Sequence, residues 1–107
     1  MTDSFVPSFS DTSKEDDHCL TCVVEIINHK GLHARAAAKF VKIVSEYDAD
    51  VWVLHGIRKV PGNSLMGLLL LAAGKGTKLT LKAQGLQHTQ VLEALKSLVE
   101  NLFHENA

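Results

Sequence analysis

"TKLTLKA", residues 77–83, shows the strictest alternation of apolar and polar residues in the chain. Its apolar positions are Leu79, Leu81 and Ala83. Successive side chains of a β-strand point to opposite faces of the sheet, so this pattern predicts a strand with one buried and one solvated face. A sheet that is wet on one side needs cover only on the other side, and the stretch therefore predicts a fold of two layers.

Segments of strand and helix character follow one another along the rest of the chain. The predicted strands span residues 19–28, 48–55, 57–62 and 77–83, and the predicted helices span residues 34–46, 65–73 and 88–104. Asn63 or Ser64 is a natural N-cap for the second helix, and Gly74 is a natural end for it. We therefore predict an α+β fold of order β-α-β-β-α-β-α, in which a four-stranded antiparallel sheet carries three helices on one face.

The charge of the 107-residue chain is unevenly distributed, although its length suits a single domain. Residues 1–18 contain five Asp or Glu residues and one Lys, whereas the remainder contains ten Lys or Arg and seven Asp or Glu. We predict a flexible acidic tail at 1–18 and a folded domain at 19–107. The mildly basic domain favours acidic or phosphate-bearing partners, but the bias is too weak, and aromatic residues are too few, to indicate nucleic acid.

No membrane span or secretory signal is visible in the sequence. The longest apolar run, "SLMGLLLLAAG" at 64–74, is shorter than the roughly 18–20 residues that a membrane-spanning helix needs. The N-terminus lacks a basic region followed by an apolar one. We therefore predict a cytoplasmic protein with no membrane partner.

The two cysteines, Cys19 and Cys22, form a lone C-x-x-C pattern within the first predicted strand. Positions three apart in a strand face opposite sides of the sheet, which disfavours a shared metal ion or a disulfide. We predict no metal site. A metal-binding or metallochaperone-like α+β domain that uses these cysteines and nearby histidines is an alternative, but a strand is a poor place for it.

His33 lies between a glycine-led turn and the first predicted helix. The first backbone N–H groups of a helix lack partners within it, and together with the helix dipole they attract anions. Neutral imidazole is a nucleophile that can carry a covalent intermediate, and the ordinary histidine pKa of about 6.5 leaves a large neutral fraction in the cell. If His33 took up a phosphoryl group, the group would lie against the amides of Ala34, Arg35 and Ala36. The guanidinium of Arg35 could pair with its oxygens. The simpler alternative is a polar helix terminus followed by a solvated arginine.

Two longer motifs resemble a known family. "NHKGLHARAAAKFVK", residues 28–42, resembles the active-site signature of HPr, the histidine-containing phosphocarrier protein of the bacterial phosphotransferase system. "GNSLMGLLLLAAGKGTKLTLKAQG", residues 62–85, resembles the second HPr signature, which surrounds a regulatory serine. The resemblance covers about residues 20–105. It implies an open-faced β-sandwich with sheet order 1-4-2-3 and no metal or organic cofactor.

The resemblance also implies a function for the chain, which would be a monomeric carrier rather than an enzyme. His33 would accept a phosphoryl group from enzyme I, which uses phosphoenolpyruvate, and pass it to an EIIA-type protein. Arg35 would steady the group. Ser64 would match the serine that an HPr kinase/phosphorylase modifies in some bacteria. The apolar docking patch of the family would correspond to Leu65, Met66 and Leu69. These three side chains are expected to be at least partly exposed. Leu68 and Leu71 are expected in the core.

Two positions depart from the usual HPr motifs. Alanine occupies position 36, where the family usually has proline, and it adds an N–H donor to the first turn of the helix. Asn63 replaces a lysine before Ser64, and the Asn-Ser pair resembles the nitrogen-related branch called NPr. At Ser64 a helix N-cap is a sufficient alternative to regulation. An alternative function is a regulatory binding module of the same fold, whose partner contacts depend on phosphorylation of His33.

Overall fold

The computed structural model describes residues 19–105, and the predicted tail at 1–18 lies outside the described residues, as do residues 106–107. The strands are β1 (Cys19–Glu25), β2 (Asp50–His55), β3 (Arg58–Pro61) and β4 (Lys78–Gln84). The helices are α1 (Ala34–Ser45), α2 (Leu65–Leu70) and α3 (His88–Glu100), followed by a 3₁₀ turn at Leu102–His104. The predicted order β-α-β-β-α-β-α is confirmed.

The four strands form one antiparallel sheet in the order β1-β4-β2-β3. β4, which contains the alternating stretch, is central and pairs with both β1 and β2. Its alternate residues Leu79, Leu81 and Ala83 are buried, whereas Lys78 is exposed. The sheet order 1-4-2-3, the α+β class and the two-layer arrangement are therefore confirmed.

An apolar core lies between the sheet and the helices. It combines the inward residues of the strands with one face of each helix, including Phe40, Val53, Leu68, Leu81, Leu95 and Leu98. α1 packs against both α2 and α3, and α3 packs on β1 and β4. This arrangement places the start of α1 beside the loops that leave β1 and α2.

Two of the predicted helix ends are wrong. The second helix ends at Leu70 instead of Ala73, because Ala72 has a φ of 52°. The last helix ends at Glu100 instead of His104, because the residues of the 3₁₀ turn, Leu102, Phe103 and His104, have φ values of 59°, 55° and 62°. A right-handed α-helix cannot include such residues. Within residues 19–105, every helix is too short or too polar to cross a bilayer.

Candidate functional site

The turn before His33 is fixed against the loop that follows α2. Gly31 has a φ of 68°, and a Cβ atom added to it would lie 2.5 Å from the Ala73 carbonyl oxygen. That carbonyl accepts a 2.8 Å hydrogen bond from the Leu32 amide. Since the backbone approaches so closely in the left-handed region, only glycine fits at position 31 without displacing the loop. The position of His33 therefore depends on this turn.

His33 is the N-cap residue of α1, with φ −80° and ψ 179°. Its carbonyl accepts from the Ala37 amide at 2.8 Å, whereas its side chain makes no capping hydrogen bond. The amides of Ala34, Arg35 and Ala36 donate to no residue in the described part of the chain. The first turn of a twelve-residue helix thus presents three donors beside the imidazole.

A carboxylate contacts the imidazole of His33. The Nε2 atom lies 2.5 Å from Oε2 of Glu105, and 27% of the His33 side chain and 14% of the Glu105 side chain are exposed. The other oxygen of Glu105 accepts from Nδ2 of Asn28 at 3.3 Å, and the same Nδ2 donates to the Gly31 carbonyl at 2.9 Å. Asn28 is completely buried. The site therefore contains a chain of contacts from Gly31 through Asn28 and Glu105 to His33.

Neither Asn28 nor Glu105 was predicted from the sequence as a site residue. Glu105 is 72 residues from His33, so no local spacing connects the two. Asn28 ends an apolar strand segment next to the glycine turn, and a polar residue in that position was the one available signal. Its Oδ1 atom is buried and accepts no hydrogen bond within residues 19–105.

The segment that carries Glu105, here called the C-terminal turn (residues 101–105), has an unusual backbone. Three consecutive residues that are not glycine have left-handed φ values, and each costs roughly 1–2 kcal/mol. The side chain of Phe103 is completely buried, and its carbonyl accepts from Nζ of Lys39 at 2.5 Å. The Glu105 amide donates to the Leu102 carbonyl at 3.0 Å. These contacts hold Glu105 against the start of α1.

Electrostatics keep Glu105 ionised. Burial alone would raise the pKa of its carboxyl group, but the hydrogen bond and the charge of His33 oppose this effect, as do the hydrogen bond from Asn28 and the charge of Lys39. The net result is a pKa of Glu105 below its ordinary value. Arg35 is exposed and makes no hydrogen bond or ion pair with a described residue, so its guanidinium is available to an anion.

The second predicted motif surrounds the start of α2. Ser64 is the N-cap residue of this helix, and its Oγ atom accepts from the Gly67 amide at 3.0 Å. The expected burial is confirmed for all five apolar positions, because Leu68 and Leu71 are buried, Leu65 and Met66 are exposed, and Leu69 is half-buried. Two further apolar residues, Leu70 and Ile57, are exposed and were not predicted from the sequence to be so. Arg58, which follows Ile57, donates to the Leu70 carbonyl at 2.9 Å and so connects the β2–β3 turn to α2.

Comparison with known proteins agrees with this geometry. Residues 20–101 match the family model described as the phosphorylation site of the HPr component of the phosphotransferase system, PTS. The chain belongs to the HPr family. It is 43% identical over 82 residues to phosphocarrier protein HPr of Neisseria meningitidis, an alignment that covers 77% of this chain and 92% of that protein. It is 40% identical over 82 residues to phosphocarrier protein NPr of Shewanella violacea, with 77% and 90% covered.

A solved HPr structure is similar as well. HPr-C-His from Thermoanaerobacter tengcongensis superimposes with a TM-score of 0.79 at 35% identity, and the alignment covers 82% of this chain and 99% of that one. HPr proteins are phosphocarriers of the phosphotransferase system, and this role extends to the present chain through its family. The resemblance to the HPr family, including its NPr branch, is confirmed.

The lowered pKa of Glu105 makes the stability of this HPr-family chain depend on pH. Its carboxylate contributes stability above the ordinary value of 4.5, and the contribution is lost as the pH falls through the lower pKa of the folded state. We therefore expect the stability difference between the wild-type chain and Glu105→Gln to shrink as the pH falls from 5 towards 3. Urea unfolding at several pH values measures it. A difference that stays constant across this range would contradict the expectation.

Substitution of Ser64 by alanine tests its N-cap role. The change removes the acceptor for the Gly67 amide, and we expect it to cost about 1 kcal/mol of unfolding free energy. Ser45→Ala is the matched control, because the Ser45 hydroxyl is exposed and only donates to the Lys42 carbonyl within α1. Urea denaturation measures both variants. Equal costs for the two substitutions would contradict the capping role.

The cysteines lie as expected in β1. Both are free thiols and partly buried, and Cys22 packs against the core. Burial raises the pKa of the Cys22 thiol, although the charge of Lys96 partly opposes the effect, so Cys22 stays protonated. Among residues 19–105 no group of three or more His, Cys, Asp or Glu side chains could hold a metal ion. The metal-binding alternative gains no support from these residues.

Proposed function

We propose that the chain is a phosphocarrier in which His33 accepts a phosphoryl group from an enzyme I-type protein and passes it to an EIIA-type protein. One observation carries the proposal. A partly exposed imidazole lies at the N-cap of α1, beside three amides that have no acceptor in the described part of the chain. The family supports the carrier role, and these residues supply the chemistry for it.

The phosphoryl oxygens would be held by the first turn of α1. Amides at a helix N-terminus stabilise an anion through hydrogen bonds and the helix dipole. Ala34, Arg35 and Ala36 supply these amides, and alanine at 36 provides one that proline would lack. The exposed guanidinium of Arg35 adds charge-assisted hydrogen bonds to the same oxygens. His33 would give up the same phosphoryl group that it received, so the chain would act as a substrate of its partner proteins and not as an enzyme.

The partner proteins would dock on the apolar surface of α2 next to the site. Leu65 and Met66 are exposed, Leu69 is half-buried, and Leu70 and Ile57 extend the surface. α2 packs against α1, so a protein bound there lies close to His33. Exposed apolar patches commonly mark interaction sites, and methionine adapts to more than one partner.

The Met66→Ser variant should therefore transfer the phosphoryl group from enzyme I more slowly than the wild-type chain. The control variant Leu86→Ser should transfer it at the wild-type rate, because Leu86 is an exposed apolar residue outside this surface.

Ser64 is the candidate for a second, regulatory phosphorylation by an HPr kinase/phosphorylase. A phosphate on its hydroxyl would place about two negative charges beside Leu65 and Met66 and would weaken apolar docking there. The monomeric state, the cytoplasmic location and the alternative role as a regulatory binding module stay predictions.

A phosphorylation assay tests the proposal. The full chain is incubated with phosphoenolpyruvate and an enzyme I, and mass spectrometry locates the phosphate. We expect one acid-labile, base-stable phosphate on His33, which a subsequently added EIIA-type protein removes. Acid-stable phosphate, or labelling at another residue, would contradict the proposal. A stable phosphohistidine that no EIIA-type protein removes, but that changes binding to a partner, would favour the regulatory alternative.

A further inference from the structure

We propose that Glu105 is a positioning residue for His33. Its carboxylate holds the proton of the neutral imidazole on Nε2 and leaves Nδ1 as the nitrogen that attacks phosphorus. The inference rests on the proposed function, because it assigns a role in phosphoryl transfer at the same histidine. It goes beyond that function in giving a distant residue control over which ring nitrogen reacts.

The contact between the two side chains determines the tautomer. A carboxylate is an acceptor only, so a ring nitrogen 2.5 Å from Oε2 of Glu105 must carry a proton. In a neutral imidazole the second nitrogen then has the free lone pair. That nitrogen is Nδ1, which makes no hydrogen bond with a described residue.

The carboxylate is itself held in place from two sides. On one side, the buried Asn28 links its second oxygen to the Gly31 carbonyl. On the other side, the C-terminal turn is anchored by the buried Phe103 and by Lys39. The turn keeps three left-handed residues that cost free energy, and such strain persists where surrounding contacts enforce it. Glu105 therefore has little freedom to leave the imidazole.

The proton and electron count of the relay follows from this arrangement. In the first step the Nδ1 lone pair forms a bond to phosphorus, and the bond from phosphorus to the donor protein breaks with its electron pair returning to the donor. The ring now carries phosphate on Nδ1 and the original proton on Nε2, and the carboxylate offsets its positive charge. In the second step the Nδ1–phosphorus bond breaks, and its electron pair returns to the ring. The same proton stays on Nε2 throughout, so no other base is needed on the carrier.

The tautomer can be measured directly in the full chain. Nitrogen-15 NMR at a pH where histidine is neutral distinguishes a proton on Nε2 from a proton on Nδ1. We expect the wild-type chain to have the proton on Nε2, and Glu105→Ala to show a second population with the proton on Nδ1. Glu105→Gln should largely restore the wild-type tautomer, because the amide oxygen can still accept from Nε2. Glu93→Gln, at an exposed glutamate of α3, is the matched control and should leave the signals of His33 unchanged.

Transfer kinetics then connect the tautomer to the reaction. We expect the rate of phosphoryl transfer at saturating donor protein to fall about tenfold in Glu105→Ala, with its KM for the donor unchanged. Circular dichroism confirms that each variant is folded. An unchanged tautomer in Glu105→Ala, or an unchanged transfer rate, would overturn the role of Glu105. The NMR measurement of the tautomer needs no phosphorylated protein, so its result does not depend on the proposed function. Absence of phosphate from His33 of the wild-type chain would instead overturn the proposed function.

Discussion

His33→Ala is expected to reduce phosphorylation by phosphoenolpyruvate and enzyme I to the background level. Alanine has no atom that can form a bond to phosphorus, and neither the amides of α1 nor Arg35 can replace the nucleophile. The substitution leaves the N-cap backbone intact, since the His33 side chain makes no capping hydrogen bond. We therefore expect a folded protein that can no longer accept a phosphoryl group. Radioactive labelling, with circular dichroism as a check on folding, measures the result.

His29→Ala is the matched control for this experiment. His29 is exposed and precedes the same glycine turn, but it lies outside the helix start. The His29→Ala variant should be labelled to the same extent as the wild-type chain. Acid-labile phosphate that persists in His33→Ala would mean that another histidine is the acceptor, and loss in both variants would point to damage of the turn instead.

The second large effect is expected from Gly31→Ala. The new Cβ would lie 2.5 Å from the Ala73 carbonyl oxygen and 2.8 Å from the Gly74 Cα, both of which are backbone atoms. The residue would also have to keep a φ of 68°. Left-handed strain of roughly 1–2 kcal/mol and a steric cost of about 1–3 kcal/mol together give a loss of about 3 kcal/mol of unfolding free energy. Urea unfolding measures the loss.

Gly56→Ala separates the two contributions. Gly56 has a similar φ of 62°, but a Cβ atom there would meet nothing within 4 Å. We expect only the left-handed cost of about 1 kcal/mol at this position. Displacement of the Leu32–Ala73 hydrogen bond should also slow phosphorylation of His33 in Gly31→Ala and not in Gly56→Ala. Equal losses of stability in the two variants would show that the close approach at Gly31 costs nothing.

Much of the fold could be predicted from local patterns. The alternation in β4 indicated one wet face, and this face is confirmed because Leu79 and Leu81 are buried while Lys78 is exposed. The start of α1 at Ala34 was also predicted from residue types, and Ser64 was one of the two N-cap candidates for α2. The sheet order came from the resemblance to the HPr family, because pairing between strands distant in sequence leaves no signal in a single strand.

The structural features that local patterns could not predict depend on contacts between residues that are far apart in the sequence. The helix pattern of residues 88–104 continues through Leu102 and Phe103, yet the buried side chain of Phe103 and the bond from Lys39 accompany a left-handed turn there. Glu105 reaches His33 only as a result of that turn. Leu70 belongs to a run of four leucines, and sequence alone does not show which of them the core has room for.

The contact between residues 33 and 105 has a consequence for biosynthesis. During translation the first motif leaves the ribosome long before the last residues do, so a nascent chain exposes its histidine without the carboxylate partner. The C-terminal turn must emerge before the imidazole acquires its contact with Glu105. The surroundings of His33 are thus incomplete until residue 105 has left the ribosome.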